Sequence, residues 1–461
     1  MSIWPTRVTW PRRAEGGVGG ALPALVTSGP RVMPYVRGLS RFTLSPLALT
    51  YDQLLFLIVA ALLAMGLVMV ESADARVHGV SEHWLRQAIM TKNFLHAGIA
   101  LLVMGVIWRL DYRWLVGKNL IWSPATWLVL ITLGCLVLVL TTPLGKELNG
   151  ARRWLGIGPL GFQPSELAKL GLVLFIAVYA VHREKQIQSL LTGYLPLLIV
   201  FGMVVGLIVK EDFGTTVLIA MVCWLMLIMA GCRWWHAGAL IPPAIAGGYL
   251  MLFKSEFRRT RMLAFLDPEK YIKTAGYHPW QSMLTIMSGG MWGRGLGNGI
   301  QKMGYLPEGN TDFIFAVICE ELGLFGALVI AGLFFVFVLA GWRIAARCNT
   351  LFGKMVAFGI TATIGLQAAM NIAVVTVSMP TKGIALPLIS SGGTGWIMTA
   401  AAVGVLMSVE RVNRMEARRS AASTEAAEPQ GFPVELKVQN STAGETAAAA
   451  VTGEQGGAAA A

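Results

Sequence analysis

The sequence predicts an all-α polytopic membrane protein of about ten transmembrane helices, with a large extracytoplasmic loop between helices 7 and 8. Three observations carry that prediction. The chain is 55% hydrophobic and 13% charged, about half the charged share of a soluble domain, and its mean hydropathy is +0.62. Its apolar residues fall in runs of about 20, the length that crosses a bilayer as a helix. Its Lys and Arg residues cluster in alternate breaks between those runs, as the positive-inside rule requires of a multi-pass protein.

The spans follow in chain order. Residues 1–50 hold Arg, Pro and Gly without an adequate apolar core, so they read as a flexible cytoplasmic extension and not as a cleavable signal. Arg31, Arg37 and Arg41 precede the first span, 53–71. Spans 93–110 and 122–141 enclose Arg109, Arg113 and Lys118; spans 165–182 and 191–209 enclose Arg183 and Lys185. Arg233 lies between 214–231 and 236–253. Arg343, Arg347 and Lys354 lie between 312–341 and 353–378, and Arg411, Arg414, Arg418 and Arg419 follow the last span, 391–409. All these cations share one side if the N-terminus is cytoplasmic. Both termini are then cytoplasmic and segment 254–311 is outside. Residues 51–410 form one membrane domain, and 411–461 drift into a disordered cytoplasmic tail of Ala, Gly, Glu and Thr. The net charge of +12 is therefore a topology signal, and no nucleic-acid partner is expected. The five cysteines form no CxxC pair and the six histidines no HExxH, so neither a disulfide nor a metal site is expected.

The charges that break the rule point to chemistry. In YLPEGNTDFIFAVICEELG a polar loop ends in Asp312 and an apolar run begins. A carboxylate near hydrocarbon costs several kcal/mol unless it is paired or wet, so such a residue is a functional candidate. Arg152 and Arg153 stand in an outer loop before QPSELAKL, where Pro164 suits a helix first turn. Glu166 and Lys169 share a face three residues apart; they either bridge helices or line a polar cavity. Lys210, Glu211 and Asp212 form a short outer turn, solvated or cavity-facing. Lys382 is the one cation of MPTKGIALPLISSGG, whose prolines and glycines suggest a re-entrant path that survives only where it lines protein or water. Apolar residues at helical spacing in 254–311 suggest one or two amphipathic helices lying on the membrane. Arg258, Arg259, Arg261 and Lys302 there suit an anionic ligand, since arginine forks match pyrophosphate oxygens. A helix starting at Asp312 would put Glu320 and Glu321 about 12 Å further along it, as buried hydrogen-bonded carboxyls or as cavity groups.

One carboxylate, several outer-face cations and an amphipathic surface suit a lipid-linked anionic substrate. The carboxylate would act as general base toward a sugar hydroxyl while cations stabilise a pyrophosphate leaving group. The same set would also serve a headgroup flippase or an ion path.

At these residues the chain resembles the SEDS family (shape, elongation, division, sporulation) over nearly all of 51–410. YLPEGNTDFIFA is similar to the family's YLPEAHTDFIFA, MPTKGIALPLISSGG to its LPTKG…LPLISYGG, and ARRW…QPSELAKL to its GxxRW…QPxELxKL. GLGNGIQK and PTKG resemble its division branch. Asn310 and Gly309 replace the usual histidine and alanine, which leaves no histidine at that place for a proton relay. Asn371-Ile372-Ala373 stands for NVG, and Ser391 for the tyrosine of SYGG.

The resemblance implies a ten-helix peptidoglycan glycosyltransferase that polymerises lipid II with inversion, at the division septum of a bacterial inner membrane. Asp312 maps onto the family's essential loop aspartate, here the expected general base. Arg153, Trp154, Glu166, Lys169, Asp212, Gln281, Lys302, Glu308, Thr311, Lys382 and Ser390 are the expected substrate-binding residues. The resemblance fixes no cofactor; a divalent cation, Mg or Mn, would help the pyrophosphate depart, and the sequence does not decide whether one is required. The implied partners are a class B penicillin-binding protein transpeptidase, other divisome membrane proteins and membrane lipids. The rival readings are a lipid II flippase and a non-catalytic divisome scaffold. A flippase needs a polar path through the whole membrane, whereas the unusual charges here cluster on one side.

Overall fold

A computed structural model describes residues 49–74, 92–148, 150–157, 160–267, 269–301 and 305–427. The expected N-terminal extension, most of the tail and Lys302 lie outside the described residues. The chain divides into residues 1–414 and 415–461.

Ten helical segments stand where the apolar runs placed them. They are α1 (Tyr51–Asp74), α2 (Lys92–Arg109), α3 (Pro124–Thr141), α4 (Pro164–His182) and α5 (Leu195–Ile208), the last entered through a π-turn at Leu190–Tyr194. Next come α6 (Phe213–Met229), then a short α7 (Trp234–Gly238) running into α8 (Ile241–Phe253) as one span. After α9 (Glu256–Leu266) and α10 (Tyr277–Gly289) follow α11 (Ile314–Arg347), α12 (Leu351–Val375) and α13 (Gly393–Ala427). Among the described residues, eight helical spans are long and apolar enough to cross a membrane; α2 and α6 complete the ten. The last helix runs past the boundary expected at 410. Arg411 donates to the Arg109 and Leu110 carbonyls, and Arg414 grips Asp52 with two bonds of 2.9 and 3.0 Å, so these residues belong to the folded unit.

The helix α4 is apolar nearly all round and correspondingly buried; α12 packs along it and along α6 and α11. By contrast α8 has no buried residue at all.

Two features depart from a plain bundle. Residues 145–162 fold into a three-stranded antiparallel sheet, β1 (Gly145–Leu148), β2 (Ala151–Ile157) and β3 (Leu160–Phe162). Lys146 pairs with Trp154 but Glu147 with Arg152, so Arg153 is an unpaired bulge residue. A bulge re-aims its side chain, and Arg153 turns into the polar cavity described below.

The second feature is a break in α11 at Gly323 (φ 69°). The loop after α10 fills it. Arg294 and Gly295 amides donate to the Glu320 and Glu321 carbonyls at 2.9 and 3.0 Å, and the Leu324 amide donates to Gly290 at 3.0 Å. A Cβ on Gly293 would collide with the Glu321 carbonyl, and one on Gly323 with the Gly293 amide. The glycine-rich stretch is therefore a close-packed splice.

Of the two helices in the 254–311 segment, α10 turns its small polar residues into the protein. Ser282 and Thr285 are fully buried, and Ser282 donates to the Val375 carbonyl at 2.7 Å. Its Met283, Leu284 and Met287 face outward instead. The helix is amphipathic as expected, with its polar groups satisfied within the protein, Ser282 against α12, and an apolar face exposed.

Candidate active site

The site is built on α12. Gln367 and Asn371, four residues apart, share one helical face. Gln367 donates to the Ala385 carbonyl at 2.8 Å, and Asn371 to the Ile384 carbonyl at 2.7 Å and the Asp312 carbonyl at 2.8 Å. Those bonds hold the irregular 379–392 segment at the head of α13 and bring Asp312 beside it. Ser390 completes the tie: its hydroxyl donates to the Thr311 carbonyl and accepts from the Leu386 amide, both at 2.7 Å. Two loop residues are left-handed, Glu308 (φ 55°) and Leu388 (φ 64°). Such backbone persists only where its surroundings over-determine it.

These elements enclose a cavity of about 1190 Å³. Asp312 is not on α11; the helix starts at Ile314 and Asp312 ends the preceding loop. Burial pushes its carboxyl up to about 7, helped by the charges of Glu308 and Asp212 and opposed by Arg153 and Arg261. A Cβ on Gly383 would lie 2.9 Å from Asp312 Oδ2, so the loop backbone closes directly on the carboxylate.

Arg153, Trp154, Glu166, Lys169, Asp212, Glu308, Thr311, Lys382 and Ser390 all line this cavity with Asp312. Several are also bound to each other. Lys169 Nζ is 2.8 Å from Glu166 and donates to Gln367 Oε1 at 2.7 Å, so this pair is a bridge and a cavity wall at once. Asp212 caps α6 through the Thr215 amide (2.9 Å) and hydroxyl (2.8 Å), and lies 3.9 Å from Arg153. Glu308 accepts from the Thr311 hydroxyl at 2.6 Å. Ser390 has its donor committed inside the protein, so it shapes the loop. Gln281, on α10, is not among the residues that line the cavity.

Of the outer arginines, Arg261 lines the cavity; burial lowers its pKa and Asp312 opposes that. Arg258 sits at the margin, bonded to the Lys210 carbonyl at 2.8 Å, and Arg259 is exposed. Burial likewise lowers Lys382.

Glu320 and Glu321 turn away from the cavity. Glu320 accepts from the Ile300 amide at 2.9 Å and the Gln301 amide at 3.3 Å. Glu321 accepts from the Gly297 amide at 3.0 Å and the Ser72 hydroxyl at 2.9 Å. They are the hydrogen-bonded carboxyls of the two readings above.

Sequence reasoning missed Gln367 and His278, which both line the cavity. His278 lines the cavity and stacks on Phe313 with centroids 5.9 Å apart; burial and then Arg261 lower its pKa, opposed by Glu308. The only sequence signal for Gln367 was a polar residue four before Asn371 in an apolar span.

A ten-helix membrane fold, a broad cavity and a desolvated carboxylate among cations define a membrane-embedded protein with a charged internal site. The family model described as "Cell cycle protein", covering FtsW, RodA and SpoVE, matches residues 52–415. A probable peptidoglycan glycosyltransferase FtsW of Idiomarina loihiensis is 36% identical over 80% of this chain and 90% of its own length. Its namesake in Geobacter sulfurreducens is 37% identical over 78% and 95%. Among solved structures, a chain of a peptidoglycan synthase complex that coordinates polymerization and crosslinking matches with TM-score 0.62 at 28% identity, over 78% of this chain and 97% of that one. The rod shape determining protein RodA of Thermus thermophilus matches with TM-score 0.56 at 28% identity, over 80% and 99%. The chain belongs to the SEDS family.

Proposed function

We propose that this chain is a peptidoglycan glycosyltransferase that polymerises lipid II, with Asp312 as general base. The observation that carries the reading is the Asp312 carboxyl, raised to about 7 inside a cavity that also presents Arg153, Lys169, Arg261 and Lys382. A base works best when its pKa lies near the working pH.

In the reaction, the Asp312 carboxylate takes the proton of the acceptor sugar hydroxyl. The hydroxyl oxygen bonds to the donor's anomeric carbon as the bond from that carbon to the phosphate oxygen breaks. Polyprenyl pyrophosphate leaves with the electron pair, and its charge meets the cavity cations. One base and no covalent intermediate give inversion, by the logic of inverting glycosidases. Among the described residues, no three His, Cys, Asp or Glu side chains converge to hold a metal ion. A divalent cation bound together with substrate pyrophosphate needs only one or two carboxylates, which Asp212, Glu308 or Asp312 would supply; it would neutralise charge on the leaving group, and no step here runs through it.

The cytoplasmic termini, the extracytoplasmic position of the cavity and the septal location are part of the proposal; the distribution of Arg and Lys supports the topology. A class B penicillin-binding protein as partner is supported by the likeness to a synthase complex chain.

The test is polymerisation of labelled lipid II in the outer leaflet of proteoliposomes, with and without the penicillin-binding partner. Glycan product without transmembrane movement is the expected result. Headgroup translocation with no polymer, partner present, would replace the enzyme by a flippase; neither product nor translocation would leave a scaffold.

A further inference from the structure

The short turn between α5 and α6 also holds α9 and the β-sheet. Its Glu211 and Asp212 amides donate to the Ile208 carbonyl at 3.1 and 2.8 Å, closing α5. Asp212 then caps α6. Arg258 of α9 donates to the Lys210 carbonyl at 2.8 Å. The Glu211 carboxylate accepts from the Arg152 amide of β2 at 2.9 Å.

That last bond falls on the bulge. Glu147 pairs with Arg152 and Lys146 with Trp154, so Arg153 is the extra residue. The partner strand β3 covers β2 only from Leu155 to Ile157. Beyond it, Glu211 supplies the acceptor that a neighbouring strand would supply. The base of the hairpin is fixed as well: a Cβ on Gly145 would collide with the Val139 carbonyl of α3. Consecutive carboxylates thus meet consecutive residues, Glu211 the backbone of Arg152 and Asp212 the side chain of Arg153.

The two contacts differ in strength. Arg153 Nη1 and Asp212 Oδ2 are 3.9 Å apart, beyond hydrogen-bond range. A carboxylate on an amide at 2.9 Å is a charge-assisted hydrogen bond, one of the stronger kinds. The Arg152 side chain adds little, because its 3.9 Å pair with Glu147 is about half exposed, 49% and 59%. The direction of the Arg153 guanidinium is therefore set mainly through the backbone. Glu211 is not among the residues that line the large cavity, so it reaches the chemistry only through what it holds.

We propose that Glu211 is a positioning residue: by pinning the Arg152 amide it fixes the bulge and keeps Arg153 directed into the cavity that holds Asp312. The proposal rests on the glycosyltransferase reading, in which Arg153 meets the leaving pyrophosphate. It gives a role to a carboxylate that the mechanism leaves unused. A small misplacement of a group that stabilises charge costs rate without unfolding the protein.

The experiment is a double-mutant cycle on steady-state polymerisation of labelled lipid II. Glu211→Ala should lower kcat/KM about fivefold, less than Arg153→Ala does, with melting close to wild type. Glu211→Gln keeps an acceptor oxygen and should recover most of the rate. Arg152→Ala keeps the amide and should turn over like wild type. In the Arg153→Ala background, Glu211→Ala should cost nothing further, because residues that act through one another are not additive. Additive losses, an unchanged rate for Glu211→Ala, a Gln variant as slow as the Ala variant, or an equally slow Arg152→Ala would each overturn the proposal. If Glu211→Ala does not fold, Glu211→Asp, which falls a methylene short of the amide, takes its place with the same expectations. Failure of both to fold makes Glu211 a stability residue and overturns the proposal as well. Wild-type protein inert toward lipid II would instead sink the glycosyltransferase reading itself, and the proposal with it.

Discussion

Asp312 and the pair Glu320–Glu321 are carboxylates of one short stretch of chain, yet they hold opposite positions in the molecule. Glu320 and Glu321 are nearly inaccessible, 0% and 1% exposed, and each accepts from backbone amides of the 290–301 loop. Asp312 faces a cavity, and its neighbours are charges: Glu308 and Asp212 of its own sign, Arg153 and Arg261 opposed. Donors to the ionised form settle a buried carboxylate, whereas burial among like charges unsettles it. Access to the cavity and the partners of each carboxyl together separate the proposed base from the structural pair.

The comparison breaks first at Asp312. Asp312→Asn keeps the shape and loses the proton acceptor, so lipid II polymerisation should drop by about 10²–10⁴-fold while expression and membrane insertion hold. Glu321→Gln should do the reverse, keeping turnover per folded molecule and lowering the unfolding temperature. A near-wild-type rate for the Asn variant, or a rate collapse without destabilisation for the Gln variant, reverses the two roles.

The cations come next. Lys382→Met and Arg153→Ala each remove a charged partner for the leaving group, a loss of about 1.5–3 kcal/mol in transition-state binding if each makes one charge-assisted bond. Steady-state kinetics should record a lower kcat/KM, with melting curves close to wild type. Early melting with unchanged turnover would make them structural bridges.

Truncating the structural pair sharpens the other side. Glu320→Ala strands the Ile300 and Gln301 amides, at about 1–3 kcal/mol for a buried unsatisfied group. Thermal unfolding in detergent, followed together with proteolysis of the 290–301 loop, measures it.

The smallest effects are in pH. The rate should rise as pH passes through about 7, because only the ionised Asp312 accepts a proton. Stability runs the other way. The folded state binds that proton more tightly than the unfolded chain, whose carboxyl keeps the ordinary value of 3.8. Ionisation therefore penalises the fold increasingly from about pH 4 up to about pH 7. Asp312→Asn should melt slightly above wild type at pH 8, with the gain shrinking toward pH 5. A gain independent of pH would remove the link to ionisation.

The ten spans are legible in the order of residues alone, because hydrocarbon thickness imposes a run length that composition records directly. Asp312, Lys382, Arg153 and the Glu166–Lys169 pair were legible for the same reason: a charge where hydrocarbon or the positive-inside rule disfavours one is visible without coordinates. Which of those charges face each other depends on how distant segments fold together. The bulge that turns Arg153 inward depends on the pairing of β1 with β2. Gln367 and Asn371 look like ordinary polar residues of an apolar span until the 379–392 segment folds onto their helical face. Glu320 and Glu321 part from Asp312 because α11 starts two residues after it and breaks at Gly323 to admit a distant loop. Pairings of that kind join residues far apart in the chain, and no local pattern of hydropathy or charge encodes them.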